Sequence, residues 1–240
     1  MRMITFAGSA SCGKSSVIIQ LARRLSEAGL RAVVVKFDCI STQDEERYRE
    51  AGIPVTVGLA GELCPDHFYV SNVHRAWAWA SGAGSDVLIV ESAGLCNRCS
   101  PHIKNIPAVC VIDNLSGIHT PRKIGPMLRT ADVVVITKGD IVSQAEREVF
   151  AFRVRQANPR ARIVAVNGLT GQGSFALWRI LEPFPGLEKL EDLMLRFTMP
   201  AALCSYCLGE RRVGYNHQIG NTRSIAFDKE VKNDGVGHAL

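Results

Sequence analysis

Residues Gly8-Ser9-Ala10-Ser11-Cys12-Gly13-Lys14-Ser15 follow an apolar run at 3–7 and lead into a stretch of helical periodicity that begins at Ser16. Two glycines bounding four residues, then Lys-Ser, demand a strand that ends in a tight turn and passes straight into a helix. The glycines let the backbone curl so that successive N–H groups point inward, and the positive end of the helix adds to that field. The pocket so formed suits the phosphates of a nucleoside triphosphate. Lys14 then reaches the β- and γ-phosphates, and the Ser15 hydroxyl faces Mg²⁺.

The rest of the chain repeats the same alternation. Apolar, β-branched runs occur at 3–7, 32–37, 53–58, 87–91, 108–113, 132–137 and 162–166, as expected of strands buried on both faces of a parallel sheet. Helical patterns fall at 15–28, 43–51, 72–80, 121–129, 143–157 and 174–181. In the first, Val17, Ile18, Leu21, Ala22 and Leu25 share a face that stops at Gly29. The expected fold is a doubly wound, mostly parallel α/β sheet of the P-loop NTPase kind with a small cysteine-containing C-terminal extension. We place the nucleotide-binding domain at 1–185, with the extension at 186–240: an amphipathic helix over 187–197, then a glycine-dotted tail with a short strand near 222–227.

Composition narrows the class. The 240 residues are 47% hydrophobic and 21% charged, a globular balance, and the net charge of +5 is too mild and dispersed to argue for nucleic acid. No apolar run approaches the roughly 20 residues of a membrane span, and no secretory signal precedes the phosphate loop. A cytoplasmic location follows, and with it reduced thiols. The eight cysteines are then better read as metal or cluster ligands than as disulfides.

Two further strand ends complete a nucleotide site. Val87-Leu88-Ile89-Val90-Glu91 ends a buried run in a carboxylate suited to Mg²⁺, and Gly94 behind it can approach the γ-phosphate. The run at 132–137 delivers Thr137-Lys138-Gly139-Asp140, close to the Asn-Lys-x-Asp pattern in which Asp accepts the N–H groups of guanine. The match favours GTP, and Thr137, standing where that pattern has Asn, leaves ATP open. Asn167 and Gly168 fall where a second base-contacting loop belongs.

Together these segments resemble the metallocentre-maturation GTPases of the urease-accessory and hydrogenase-nickel-insertion type, over residues 1–182. The resemblance implies that Asp38, in Phe37-Asp38-Cys39-Ile40-Ser41-Thr42-Gln43-Asp44-Glu45, binds or senses Mg²⁺ in the first switch and helps position water. Glu91-Ser92-Ala93-Gly94 is similar to the family's Glu-Ser-Gly-Gly segment. Lys14, Asp38 and Glu91 are the catalytic residues it implies. Gly61-Glu62-Leu63-Cys64-Pro65-Asp66-His67 is similar to the family's nickel-binding Gly-Gly-Cys-Pro-His segment. Here Asp66 is inserted, displacing His67 relative to Cys64. Ser9 stands where the nitrogenase-iron-protein branch carries a second lysine, which excludes close membership of that branch.

Cys96-Asn97-Arg98-Cys99 follows Glu91 by a few residues and offers two thiolates on one turn, with His102 beyond. Such a pair suits Zn²⁺, Ni²⁺ or a [4Fe-4S] cluster and supplies half a site, which a symmetric homodimer would complete. Cys204-Ser205-Tyr206-Cys207 is a second pair. The favoured function is a dimeric GTPase metallochaperone that passes metal or cluster to a client apo-metalloenzyme or accessory protein. The alternatives are a nucleotide-dependent reductive activator sharing an iron–sulfur cluster across its dimer, and a small-molecule kinase.

Overall fold

The computed structural model describes residues 1–95, 97, 99–198, 209–217 and 223–225. Cys96, Cys204 and Cys207 lie outside the described residues, as do residues 222, 226 and 227 of the strand expected near 222–227; its described part, 223–225, is not in a strand.

Among the described residues, seven strands form one sheet: β1 (Arg2–Gly8), β2 (Ala32–Asp38), β3 (Val55–Leu59), β4 (Val87–Ser92), β5 (Ala108–Asp113), β6 (Val133–Thr137) and β7 (Arg162–Ala165). Their order is β3-β2-β4-β1-β5-β6-β7, and every neighbouring pair is parallel. The helices between them are α1 (Lys14–Glu27), α2 (Asp44–Glu50), α3 (Pro65–Gly82), α4 (Thr120–Lys123), α5 (Pro126–Arg129), α6 (Gln144–Ala157) and α7 (Ser174–Leu181). In such a sheet, ligands bind beyond the carboxyl ends of the strands, where the order reverses around the central strand. Gly8, Asp38, Glu91 and Thr137 all sit at or next to that edge.

Alternation along the strands sorts the core into layers. Ile4, Phe6, Val34 and Ile89 meet Val17, Ile18 and Leu21 of α1, whereas Met3, Val33, Val35, Leu88 and Val90 meet Tyr69, Val70 and Val73 of α3. A third cluster joins Cys110, Ile112, Val134 and Ile136 to Phe150 and Val154 of α6. Ser143 begins α6 with a capping box: its hydroxyl accepts from the Glu146 N–H while Glu146 accepts from the Ser143 N–H.

Three helical expectations need correction. The pattern at 121–129 is two short helices, broken at Gly125, whose φ is +63° and whose Cβ, if present, would meet the Asn97 carbonyl at 2.8 Å. The helix expected at 72–80 begins seven residues earlier, with Pro65 in its first turn, so Cys64 is its N-cap. The segment 187–197 is not a helix. A turn at Asp192 (φ +53°) leads into extended chain, and Leu195 and Met194 bridge antiparallel to Ile103 and Arg212. Leu187, Leu190, Leu193 and Leu195 still turn inward, against the α3 layer. Their spacing of three, three and two serves a strap over a ready-made apolar surface as well as it serves a helix.

Arg196 fixes the strap. Its guanidinium donates to the carbonyls of Ile103 (3.0 Å), Thr130 (2.8 Å) and Ile106 (2.7 Å) and pairs with both Asp132 oxygens at 2.7 and 2.6 Å. This satisfies a planar fork at five contacts. Residues 223–225 dock on α3, where the Asn72 amide donates to the Arg223 carbonyl and accepts from the Ile225 N–H, both at 2.8 Å.

Candidate nucleotide site

The loop between β1 and α1 has the shape its sequence demands. Gly8, Ser11 and Gly13 have φ of +147°, +58° and +90°. A Cβ on Gly8 would lie 2.1 Å from the Val111 carbonyl oxygen, so the loop can cross β5 only as glycine. Lys14 is buried and folds back over the loop, donating to the carbonyls of Gly8 (3.1 Å) and Ser9 (2.9 Å). Gly94 lies against the same loop; a Cβ there would approach the Gly8 oxygen to 1.7 Å and the Lys14 amine to 3.0 Å. The loop following β4 is thus in direct contact with the phosphate loop.

At one corner of this site charges interlock. The Ser15 hydroxyl donates to Glu91 Oε1 at 2.8 Å, and the Tyr48 hydroxyl donates to Oε2 at 2.7 Å. Lys36 donates to the same Oε1 at 3.2 Å and to Asp44, and stands 3.7 Å from Asp38 Oδ2. Glu91, Tyr48 and Lys36 are all buried. Burial works against the Lys36 ammonium, but the Glu91 and Asp44 carboxylates outweigh it and hold its pKa above the ordinary lysine value. Burial pushes the Tyr48 phenol well up, reinforced by Glu91. Arg47 joins the corner to α1 through Asp44 Oδ1 and the Ser16 hydroxyl, both at 2.8 Å. Ser15, Asp38 and Glu91 form an all-oxygen donor set at the mouth of a phosphate loop, the chemistry that Mg²⁺ prefers.

At the other corner, side chains grip backbone. The Thr137 hydroxyl donates to the Cys12 carbonyl at 2.7 Å, tying the end of β6 to the phosphate loop. Lys138, itself at φ +56°, donates to the Ser11 carbonyl at 2.9 Å and stands 3.6 Å from Asp113. Asn167 organises its own loop by accepting the N–H groups of Leu169 and Thr170. Gln20 of α1 donates to the Gly168 and Leu169 carbonyls at 3.1 and 3.2 Å. A Cβ on Gly168 would meet Ser16 at 2.7 Å, so this loop also packs on α1. Asp140 is exposed at a cleft of about 710 Å³ that Asn114, Gly139, Arg147, Asn167 and Gln172 help to line.

The thiols lie behind the cation corner. Cys99 is buried and donates to Asp66 Oδ2 at 2.8 Å. Burial raises the Asp66 pKa, moderated by the Cys99 bond and by Lys14. The inserted Asp66 therefore joins the start of α3 to the loop that follows Gly94. Cys64 caps α3 and His67 is buried in its first turn. Among the described residues, no three His, Cys, Asp or Glu side chains gather as a metal would require. His102 is buried and shares a 3.0 Å hydrogen bond with Thr5; burial, with Arg196 near, holds its pKa down at about 3. Cys12 fills space in the phosphate loop and donates to the Val111 carbonyl, its pKa raised by burial. Sequence reasoning missed Lys36 and Tyr48, and included Asp44 only as part of the first-switch segment. A lysine inside the run Val33-Val34-Val35-Lys36-Phe37 was the available signal, because a charge in a doubly covered strand must find a partner.

Sheet order, phosphate loop and strand-end carboxylate together define a P-loop nucleotide-binding protein. The chain belongs to the CobW/HypB/UreG nucleotide-binding domain family, whose sequence profile matches residues 2–165. It is 48% identical over 225 residues to the uncharacterised protein MJ0120 of Methanocaldococcus jannaschii, covering 94% of this chain and 96% of that one. It is 27% identical over 192 residues to the urease accessory protein UreG 2 of Methylorubrum populi, covering 74% and 89%. Among solved structures it is similar to the hydrogenase maturation factor HypB of Archaeoglobus fulgidus, with a TM-score of 0.59, 22% identity and coverage of 76% and 89%. HypB from Helicobacter pylori, solved in complex with nickel, gives a TM-score of 0.59 at 20% identity and coverage of 79% and 92%. No helix among the described residues is long and apolar enough to cross a membrane.

Proposed function

We propose that this protein is a GTP-hydrolysing switch that delivers a metal ion, nickel or one like it, or a metal cluster to a client metalloenzyme, working as a homodimer. The observation that carries this reading is the Cys99–Asp66 hydrogen bond. It joins the loop behind Glu91 and Gly94 to the Cys64 segment, so the chain that meets the nucleotide also bears the thiols. The likeness to urease accessory proteins, and to a HypB solved with nickel, supports the same cargo class.

In this reading the N–H groups of residues 9–15 hold the β- and γ-phosphates. Lys14 exchanges its Gly8 and Ser9 carbonyls for phosphate oxygens. Ser15, Asp38 and Glu91 would hold Mg²⁺, which when bound would supply positive charge to offset that of the phosphoryl group. Asp38 orients the attacking water, and Asp140 reads the base. Thr137 and Lys138 keep the base loop fastened to the phosphate loop. The gain or loss of a γ-phosphate beside Gly94 shifts that loop and, through Cys99, the geometry of the thiols. Residues 1–185 carry the nucleotide chemistry, and the C-terminal part adds the Cys204 and Cys207 pair.

The test is anaerobic purification followed by metal and sulfide analysis, with phosphate release from GTP and ATP measured before and after metal loading. Zinc or nickel bound in a fixed ratio and lost in Cys99→Ser, with GTP turned over faster than ATP, is expected. Stoichiometric iron and sulfide would turn the reading toward an electron-passing activator. Absence of nucleotide turnover at any metal loading would overturn the switch.

A further inference from the structure

Lys36 is 4% exposed in the middle of β2. Strand register sets it directly beside Glu91 of β4, and alternation puts both on the face covered by α1 and α2. Three carboxylates surround its ammonium: Glu91, Asp44 and, at 3.7 Å, Asp38. The Glu91 oxygen it touches is the one that accepts the Ser15 hydroxyl. The group that neutralises Glu91 thus stands where the donors for a divalent cation converge. Positive charges a few ångströms apart repel strongly even at a protein's effective dielectric, so the ammonium and a dication cannot share Glu91 at full strength.

The second half of the observation concerns Asp44, the first residue of α2, which follows the segment 39–43, exposed at Ile40, Ser41 and Gln43. It is held by Lys36 from the sheet and by Arg47 from its own helix. Glu91 accepts Tyr48 on its other oxygen, the one that Lys36 does not touch.

We propose that Lys36 is a positioning residue of the cation site, a built-in counter-charge that holds Glu91, Asp38 and Asp44 together and yields Glu91 when a divalent cation enters with nucleotide. This rests on the nucleotide-and-magnesium reading above. Because the same ammonium holds Asp44, yielding Glu91 also changes the hold on the start of α2. Cation entry is thereby felt by the segment 39–43.

The experiment is a Mn²⁺ titration followed by electron paramagnetic resonance on the full chain without nucleotide, comparing wild type with Lys36→Met. Removing the ammonium takes away the positive charge that competes for Glu91, and Mn²⁺ should bind on the order of 10–100-fold more tightly. Millimolar Mg²⁺ should also restore the melting temperature the variant loses. A merely structural lysine would lower the melting temperature with no gain in Mn²⁺ affinity, and that result would overturn the proposal. Should Lys36→Met fail to fold, Lys36→Gln decides, since its amide keeps a donor for Glu91 or Asp44 without the positive charge. Its Mn²⁺ affinity should rise in the same direction, about 3–10-fold or more. Unchanged or weaker Mn²⁺ binding in Lys36→Gln would overturn the proposal equally. The nucleotide-free arm is independent of hydrolysis, so failure of the switch reading and failure of this one are told apart.

Discussion

The two corners of the nucleotide site are built from different materials. At the Glu91 corner, side chains hold side chains: a lysine, two hydroxyls and three carboxylates share oxygens across β2, β4, α1 and α2. At the Asp140 corner, Thr137, Lys138 and Gln20 hold backbone carbonyls of neighbouring loops. Carbonyls of an anchored loop have nowhere to go, whereas partners within a charge cluster can be exchanged at modest cost. One corner is therefore a fixed frame and the other is a place where two arrangements can compete. A switch needs both, since a movement counts only against something that stays still.

The largest effect expected is from Lys14→Ala, which strips the phosphates of a buried cation while leaving both corners assembled. Phosphate release should slow by about 10²–10³-fold, and near-wild-type turnover would dissociate the site from the chemistry. Asp140→Asn comes next. It should shrink any preference for GTP over ATP by roughly 10–100-fold and leave Mn²⁺ binding unaltered. A change in Mn²⁺ affinity would break the separation of the corners.

Paired stability measurements sharpen the contrast. Tyr48→Phe leaves Glu91 Oε2 buried with a lost donor and should cost about 1–3 kcal/mol in urea unfolding. Thr137→Val at the base corner removes a neutral hydrogen bond to a carbonyl, worth about 1 kcal/mol. Equal losses would mean that the charged corner is no more dependent on its pairings than the fixed one. The effect confined to pH lies outside both corners, at His102, and vanishes at neutral pH. Its folded pKa of about 3 lies below the ordinary value of 6.5. The unfolded chain therefore takes up the proton first on acidification. His102 contributes its full stability above that ordinary value and loses it as pH falls toward 3, by up to about 1.4 kcal/mol per unit. His102→Gln should flatten that slope in melts between those limits without moving nucleotide affinity.

The sheet was legible because its strands are buried on both faces. Runs such as Val87-Leu88-Ile89-Val90 have no other economical use, and each expected run became a strand. The phosphate loop was legible because its glycines answer to backbone geometry rather than to distant neighbours. Partnerships across the sheet were not. Lys36 and Glu91 are 55 residues apart, and Cys99 and Asp66 are 33 apart. Nothing local announces that either pair will meet. The strap at 187–197 was misread for a related reason. Four inward leucines at mixed spacing fit a helix, and only the waiting surface of Ile103, Ile106 and α3 decides for extended chain. The cysteine pairs were conspicuous as sequence, yet Cys99 donates to an aspartate, which spacing alone had no means to suggest.

The Arg196 clamp has a consequence for how the chain comes together. Its contacts reach back 64 to 93 residues, to Asp132, Thr130, Ile106 and Ile103. It can close only after β5 and β6 have found their places, because loop closure over such distances costs entropy before any contact repays it. During synthesis the strap also leaves the ribosome after everything it covers. Between the assembly of the sheet and the arrival of Arg196, the apolar flank beside α3 stands open to water. Until the strap arrives, the surface it covers is available to other chains, and Asp132 lacks its guanidinium partner.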